Sequence, residues 1–343
     1  MKFAYFTNWA LPRNGIKGNP IIAKHYTPDD MMPWLLDAEL FNFTFPLKTD
    51  DLDSYDWVVL NNDKHFYDNK AMVEQFLEYF KTDIYLKTTD VEKLKAIVKP
   101  KLCILQEGPI FDWQTWTMER QLTYRKLMNL ANLFLCNNEA HKEYYLEYCR
   151  NVGIYRVPLI LPDYVQRRLK EKQKLVVING NFSDWYNGNS SLDVAKEAKD
   201  YTIVFPSMGR SQENELNYLP LLIPSGKFAK IPFVNWDSWV DVISQCEFGI
   251  NMMTAIACGT FTVLCAACGV LCIGNEEFDP QKRLFPNLSI KSHEITKGKE
   301  LLKRLMEDSE FRKEQERIRD ERIKDYDYLV IKEELLKTFE RVN

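Results

Sequence analysis

Apolar residues come in short runs along the first half of the chain, and each run closes on polar residues. Lys2–Asn8, Trp57-Val58-Val59-Leu60-Asn61, Ile84-Tyr85-Leu86 and Leu102-Cys103-Ile104-Leu105 all read as strands. Between them, Ala71–Lys81 sets Met72, Val73, Phe76, Leu77 and Phe80 at helical spacing. A longer helical region from about Glu119 carries Leu122, Leu127, Leu130 and Leu133 and ends around Asn137-Asn138. Short buried strands alternating with helices predict a parallel sheet with helices on both faces.

The pattern stops at Pro158-Leu159-Ile160-Leu161-Pro162, and the basic run Arg167–Lys174 that follows reads as a solvated linker. Alternation restarts at Leu175-Val176-Val177-Ile178-Asn179-Gly180, with further strands at Tyr201–Phe205, Phe248–Asn251 and Val270–Ile273. Glu310–Arg341 is charge-rich and helical, with Ile318, Ile323, Leu329, Leu335, Leu336 and Phe339 as its apolar contacts. The expected architecture is α/β. One Rossmann-like, doubly wound domain covers 1–164, a second covers 165–320, and a helix over 321–343 packs back towards the first. Two such domains leave a cleft between the C-terminal edges of their sheets, where open α/β sheets bind ligands.

Composition agrees with this organisation. The chain has 343 residues, of which 45% are hydrophobic, enough for two cores and too apolar for a disordered chain. Its net charge of -4 excludes a generally basic surface. The charge is shared evenly, with 19 basic and 22 acidic residues up to Tyr164 and 26 and 27 after it, so any nucleic-acid contact has to be a local groove. The N-terminus lacks the apolar core of a signal peptide, and the longest apolar stretch, Val263 to Gly274, is short of the ~20 residues that span a bilayer. Eight cysteines, mostly inside apolar runs, read as reduced thiols. A cytoplasmic protein is expected.

Three strand-to-turn-to-helix segments suit phosphate binding. Gly180-Asn181-Phe182-Ser183-Asp184-Trp185-Tyr186-Asn187-Gly188 follows a strand directly and precedes a helix starting near Ser190-Ser191; glycine lets backbone approach a ligand, and amide, hydroxyl and free N–H groups hold phosphate oxygens. An ordinary capped turn fits the same residues. Gly259-Thr260-Phe261-Thr262 opens a small-residue helix, which Gly269 ends, and so offers orphan N–H groups to a diphosphate; tight helix–sheet packing is the alternative. Arg210, in the turn after Tyr201–Phe205, is placed to neutralise a phosphate. Trp236 offers a stacking face for a nucleobase. Cys258, Cys265, Cys268 and Cys272 sit in a continuous apolar unit and not on paired knuckles, so they read as small buried hydrophobes with no metal. For acid–base chemistry, Asp90 and Glu107 follow strand runs, where a base in an α/β sheet would sit.

The whole pattern resembles the GT-B glycosyltransferases, with Gly259 to Gly274 similar to their donor-binding helix and following strand. The retaining branch carries a glutamate pair whose places here are Ile256 and Leu264, which points away from that branch. Short islands are similar to the DNA β-glucosyltransferases of T-even phages, inverting GT-B enzymes that act on 5-hydroxymethylcytosine. They are Asp53–Asn61, Tyr79–Asp90 and Glu276-Glu277-Phe278-Asp279 with Lys282-Arg283. Gly180–Ser183 falls where that family has its phosphate loop, although the family's loop arginines are missing here.

The resemblance implies transfer of a sugar from a nucleotide-diphosphate donor, with UDP the expected nucleotide and no tightly bound cofactor. Asp90, or Glu107 as second choice, would be the base; Asn275, Glu277 and Trp236 are the positions left for ribose and nucleobase. It also implies double-stranded DNA with a modified cytosine as the acceptor. A surface saccharide is the other acceptor, and a non-catalytic nucleotide-binding GT-B protein and a nucleotide-sugar epimerase are the rival readings.

Overall fold

The structure is a computed structural model and describes residues 1–7, 16–17, 28–42, 52–62, 66–81, 84–87, 95–159, 165–166, 168–180, 182, 185–206, 215–232 and 234–342. It divides into two compact units. The first takes the chain up to Arg156 and its end from Lys332; the second is built on Val157–Ile331.

The first unit contains β1 (Phe3–Thr7), β2 (Ile16–Lys17), β3 (Glu39–Asn42), β4 (Trp57–Asn61), β5 (Ile84–Lys87), β6 (Lys95–Val98), β7 (Lys101–Leu105), β8 (Leu133–Cys136) and β9 (Val152–Ile154). Its main sheet has the order β2-β3-β1-β4-β7-β8-β9, parallel throughout except for β2. Trp57–Asn61 and Leu102–Leu105 are buried along their whole length, as strands covered on both faces must be. Order reverses between β1 and β4, which sets a switch point at their C-terminal ends.

Two elements differ from the sequence expectation. β5 is not part of the parallel sheet; it pairs antiparallel with β6 as a separate two-stranded sheet, Ile84 opposite Val98. Seven residues separate the two strands, too few for the crossover a parallel pair needs. Leu133 is not helical either. The helix spans Met118–Leu130, and Leu133–Cys136 is a fully buried strand. A four-residue apolar run beside a helix has no periodicity to tell the two apart.

The second unit contains β10 (Gln173–Ile178), β11 (Thr202–Pro206), β12 (Phe228–Ile231), β13 (Cys246–Asn251), β14 (Leu271–Asn275) and β15 (Ser289–Ile290). They form one parallel sheet in the order β12-β11-β10-β13-β14-β15. Chain order runs outwards in both directions from the centre, so the switch point lies between β10 and β13.

The Tyr328–Glu340 helix carries the chain back to the first unit. There Phe339 is fully buried with its ring edge-on to Phe3 and Trp57, centroids 5.0 and 4.9 Å away, Arg156 pairs with Glu334, and Lys101 donates to the Val342 carbonyl. The apolar contacts of this helix are Ile331, Leu335 and Phe339, whereas Leu329 is exposed.

Candidate functional site

Three strands meet the switch point of the second unit, and each closes its apolar run on an asparagine. Asn179 follows β10, Asn251 ends β13 and Asn275 ends β14; all three are buried. They are wired across the strand ends. Asn179 Nδ2 donates to Asn251 Oδ1 at 2.8 Å, and Asn251 Nδ2 donates to Thr262 Oγ1 at 3.1 Å. Thr262 Oγ1 donates to Gln281 Oε1 at 3.4 Å, and Gln281 Nε2 donates to the Cys272 carbonyl at 2.8 Å. Asn275 Nδ2 donates to the Met253 carbonyl while its Oδ1 accepts from the Glu277 backbone. On the other side, Asn187 Nδ2 donates to the Met252 carbonyl, and Ser191 Oγ accepts from the Met252 backbone. The buried links are all neutral, and the one carboxylate at the edge, exposed Glu277, accepts a long 3.5 Å bond from Asn275 Nδ2, so the edge is polar and free of buried charge.

The loop from Asn251 ends at Gly259, the N-cap of the Thr260–Ala267 helix, in the left-handed region at φ 72°. A Cβ there would stand 2.8 Å from Pro280 Cγ, so glycine alone lets the loop turn into this helix. Gly180, after β10, is left-handed as well, at φ 79°. Gly180 turns the chain just past the end of β10, and Gly259 turns it into a helix whose first N–H groups have no intrahelical acceptor, a combination suited chemically to an anion.

Of the expected donor-site residues, Gly180 stands beside Asn179 at the end of β10, Thr262 is linked to that strand end through Asn251, and Asn275 and Glu277 lie at the end of β14. Within that group Thr262 is fully buried in the amide chain and Phe261 is buried, while Thr260 is partly open and Glu277 is exposed. Phe182 stacks on Phe205 at 5.0 Å and 29°, which ties its ring to the end of β11. Trp236 opens the Trp236–Gln245 helix after the edge strand β12. Asp90, Asn181, Ser183 and Arg210 lie outside the described residues. Asn179, Asn251, Ser191 and Gln281 are additions that sequence reasoning missed, whereas Asn187 falls within the Gly180–Gly188 turn it singled out. A signal was present: Val177-Ile178-Asn179, Gly249-Ile250-Asn251 and Ile273-Gly274-Asn275 repeat one strand ending.

All eight cysteines are buried free thiols, and burial pushes Cys246 and Cys268 up to about 12, which keeps them protonated at neutral pH.

The first unit carries a similar edge. Asn61 and Asn62 close β4, Gln106 and Glu107 follow β7, and Asn137 and Asn138 follow β8. Gln106 Oε1 accepts from Asn62 and from Tyr124, Tyr67 donates to Asn62 Oδ1 at 2.7 Å, and Tyr155 donates to the Gln106 carbonyl. Asn137 Nδ2 donates to the Glu107 carbonyl at 2.7 Å, and half-buried Glu107 is thereby fixed at the end of β7.

His141, one helical turn beyond Asn137, is 2% exposed. Burial pushes its imidazole down from 6.5 to about 4. As pH falls through that interval the unfolded chain takes up the proton first, so stability falls with it. His141→Phe is expected to flatten this limb, read as denaturant midpoints at about pH 7 and about pH 4.5. An unchanged limb would assign the dependence to other groups.

No protein-family model matches the chain, and no curated protein sequence matches it. Solved structures do. HepE of Anabaena, in complex with UDP and glucose, superposes with a TM-score of 0.66 at 12% identity, covering 99% of this chain and 100% of that one. Sucrose-phosphate synthase of Thermosynechococcus elongatus gives 0.63 at 10% identity, covering 99% and 98%. Trehalose 6-phosphate synthase of Burkholderia multivorans gives 0.59 at 9%, covering 83% and 72%. The fold is therefore GT-B: two Rossmann-like units, with the terminal helix returning to the first. Among the described residues no helix is long and apolar enough to cross a membrane.

Proposed function

We propose that the protein is a glycosyltransferase that takes its sugar from a nucleoside diphosphate donor, UDP being the nucleotide favoured. The observation that carries this reading is the strand-end arrangement at the switch point of the second unit, Gly180 and Gly259 with the Asn179–Asn251–Thr262 chain. Support comes from solved GT-B neighbours in complex with UDP and with UDP-glucose. The diphosphate rests on backbone N–H groups at the start of the Thr260–Ala267 helix, where the helix dipole favours negative charge. Glu277 and Asn275 are left for the ribose.

Glu107, fixed at a parallel strand end, is the described candidate for the general base; Asp90 is the second. The carboxylate takes the acceptor hydroxyl's proton as its oxygen bonds to the anomeric carbon. The bond to the donor phosphate breaks with its electron pair leaving on the diphosphate, and the anomeric configuration inverts. Proton transfer of this kind contributes ~10²–10⁴-fold.

For the acceptor we favour a saccharide hydroxyl over a hydroxymethylated pyrimidine in DNA. The described strand ends at the first unit's edge carry Thr7, Asn61, Asn62, Gln106, Glu107, Asn137 and Asn138, and hydroxyl and amide groups of this kind suit the hydroxyls of a saccharide. A thermal-shift series with UDP, UDP-glucose, ADP-glucose and GDP-mannose tests the donor. The preferred nucleotide at 100 times its Kd should add ~2.7 kcal/mol, and a series with no shift at all would sink the reading.

A further inference from the structure

The Asp279–Leu284 helix and its N-cap touch the chain between Asn251 and Thr262 at three points. Phe278, the N-cap, is buried and packs with Met253 and Ala255. Pro280 fills the space that a Cβ on Gly259 would need. Gln281 is fully buried and ends the amide chain. Its Oε1 accepts from Thr262 Oγ1 at 3.4 Å, and its Nε2 donates to the Cys272 and Leu288 carbonyls at 2.8 and 3.4 Å. A Cβ on Gly274 would stand 2.7 Å from Gln281 Oε1, so the carboxamide lies against the backbone of β14 one residue before Asn275.

Donation runs one way along this chain, from Asn179 through Asn251 and Thr262 to Gln281, and ends on two backbone carbonyls. A primary amide supplies one acceptor oxygen and two N–H donors, and Gln281 uses both kinds. Thr262 is the third residue of its helix, whose first internal bond runs from the Val263 N–H to the Gly259 carbonyl at 3.2 Å. The N–H groups of Thr260, Phe261 and Thr262 therefore precede the helical ladder, and the Thr262 hydroxyl ties their turn to Gln281.

We propose that Gln281 is a positioning residue for the donor's diphosphate. It acts through Thr262, holding the first helical turn against the backbone of β14, and has no contact of its own with the ligand. This role deepens the nucleotide-sugar reading and rests on it. Hydrogen bonds weaken steeply with poor alignment, so loss of the tie lowers affinity for the diphosphate although the groups that meet it are unchanged.

The test is calorimetric titration of UDP into full-length wild type, Gln281→Met, Thr262→Val and the double variant. Each is titrated at a temperature where its near-ultraviolet circular dichroism shows it folded. Methionine is close to glutamine in length and lacks its N–H donors and carbonyl acceptor. The UDP Kd is expected to rise about tenfold or more in either single variant. The double variant should lie within about threefold of the weaker single one, because both changes cut the same tie. Thr262→Ser keeps the hydroxyl and should stay within about threefold of wild type; with Thr262→Val it carries the test if Gln281→Met does not fold.

Unchanged UDP affinity in folded Gln281→Met or in Thr262→Val, or losses that multiply in the double variant, overturns the proposal. A residue that only stabilises the unit would lower Tm and leave the Kd of the folded variant at the wild-type value. Wild type that binds no UDP fails at the earlier step and removes the UDP-sugar reading itself. Wild type that binds UDP no more tightly than Gln281→Met loses only the role of Gln281.

Discussion

Gly180→Val is expected to destabilise the second unit by about 3–5 kcal/mol and to remove its thermal response to UDP. Two separate costs add. The position has φ 79°, where an L side chain pays roughly 1–2 kcal/mol and a β-branched one more. A Cβ there would also lie 2.2 to 2.5 Å from Tyr186 Cδ1, Cγ and Cβ. Those atoms sit at the base of the ring, so no rotation of its far end relieves the overlap, and overpacking of this kind costs about 1–3 kcal/mol. The two terms can be separated. Tyr186→Ala in the Gly180→Val background should recover the ring's share of the steric cost and leave the overlap with the Tyr186 Cβ and the backbone part, giving a coupling energy of ~1–2 kcal/mol in a denaturant double-mutant cycle. Simple additivity of the two variants would show that Tyr186 does not hold this turn.

The turn was visible in the sequence because glycine straight after an apolar strand run has few other reasons to be there. Gly259 was legible on the same grounds, and its left-handed N-cap geometry follows from the turn into a helix of small residues. Continuous runs such as Trp57–Asn61 were legible because interior parallel strands are apolar on both faces. What failed was local ambiguity. Leu133 continues a leucine spacing that suits a helix, and only its burial in Leu133–Cys136 makes it a strand. Ile84–Lys87 has the composition of an interior strand, yet its short connection to Lys95–Val98 forces a hairpin.

The amides were missed for a different reason. An asparagine at the end of a strand looks like turn punctuation, and its partner is far away in the chain. Asn179 and Asn251 are 72 positions apart, and Thr262 and Gln281 are 19 apart. Only the sheet order, which puts β10 beside β13, makes them neighbours. Strand endings of one type repeated through both halves of a chain are therefore the signal to look for in a doubly wound fold.

Asn251→Leu is the other large effect, at about 2–5 kcal/mol, and it arises from what is left behind. Leucine nearly matches asparagine in size, so no cavity of consequence opens. Asn179 Nδ2 loses its 2.8 Å acceptor and Thr262 Oγ1 its 3.1 Å donor, both inside the unit, and each buried group without a partner costs about 1–3 kcal/mol. Asn179 keeps only the weak sulfur contact to Met253, at 3.7 Å, and Thr262 keeps its 3.4 Å bond to Gln281, which holds the loss below the sum of two full penalties. The variant also reports on function, because Thr262 lies in the first turn of the helix proposed to hold the diphosphate. Freed from Asn251, that turn is no longer held to the end of β13, and UDP affinity should fall roughly tenfold or more. Asn251→Asp separates the two roles: it retains an acceptor for Asn179 but loses the donor to Thr262 and adds a buried charge. Its stability should therefore drop more at neutral pH than near pH ~4, where the carboxyl is protonated and can donate again. A loss relative to wild type that is the same at both values would show that the chain of amides is not wired as described.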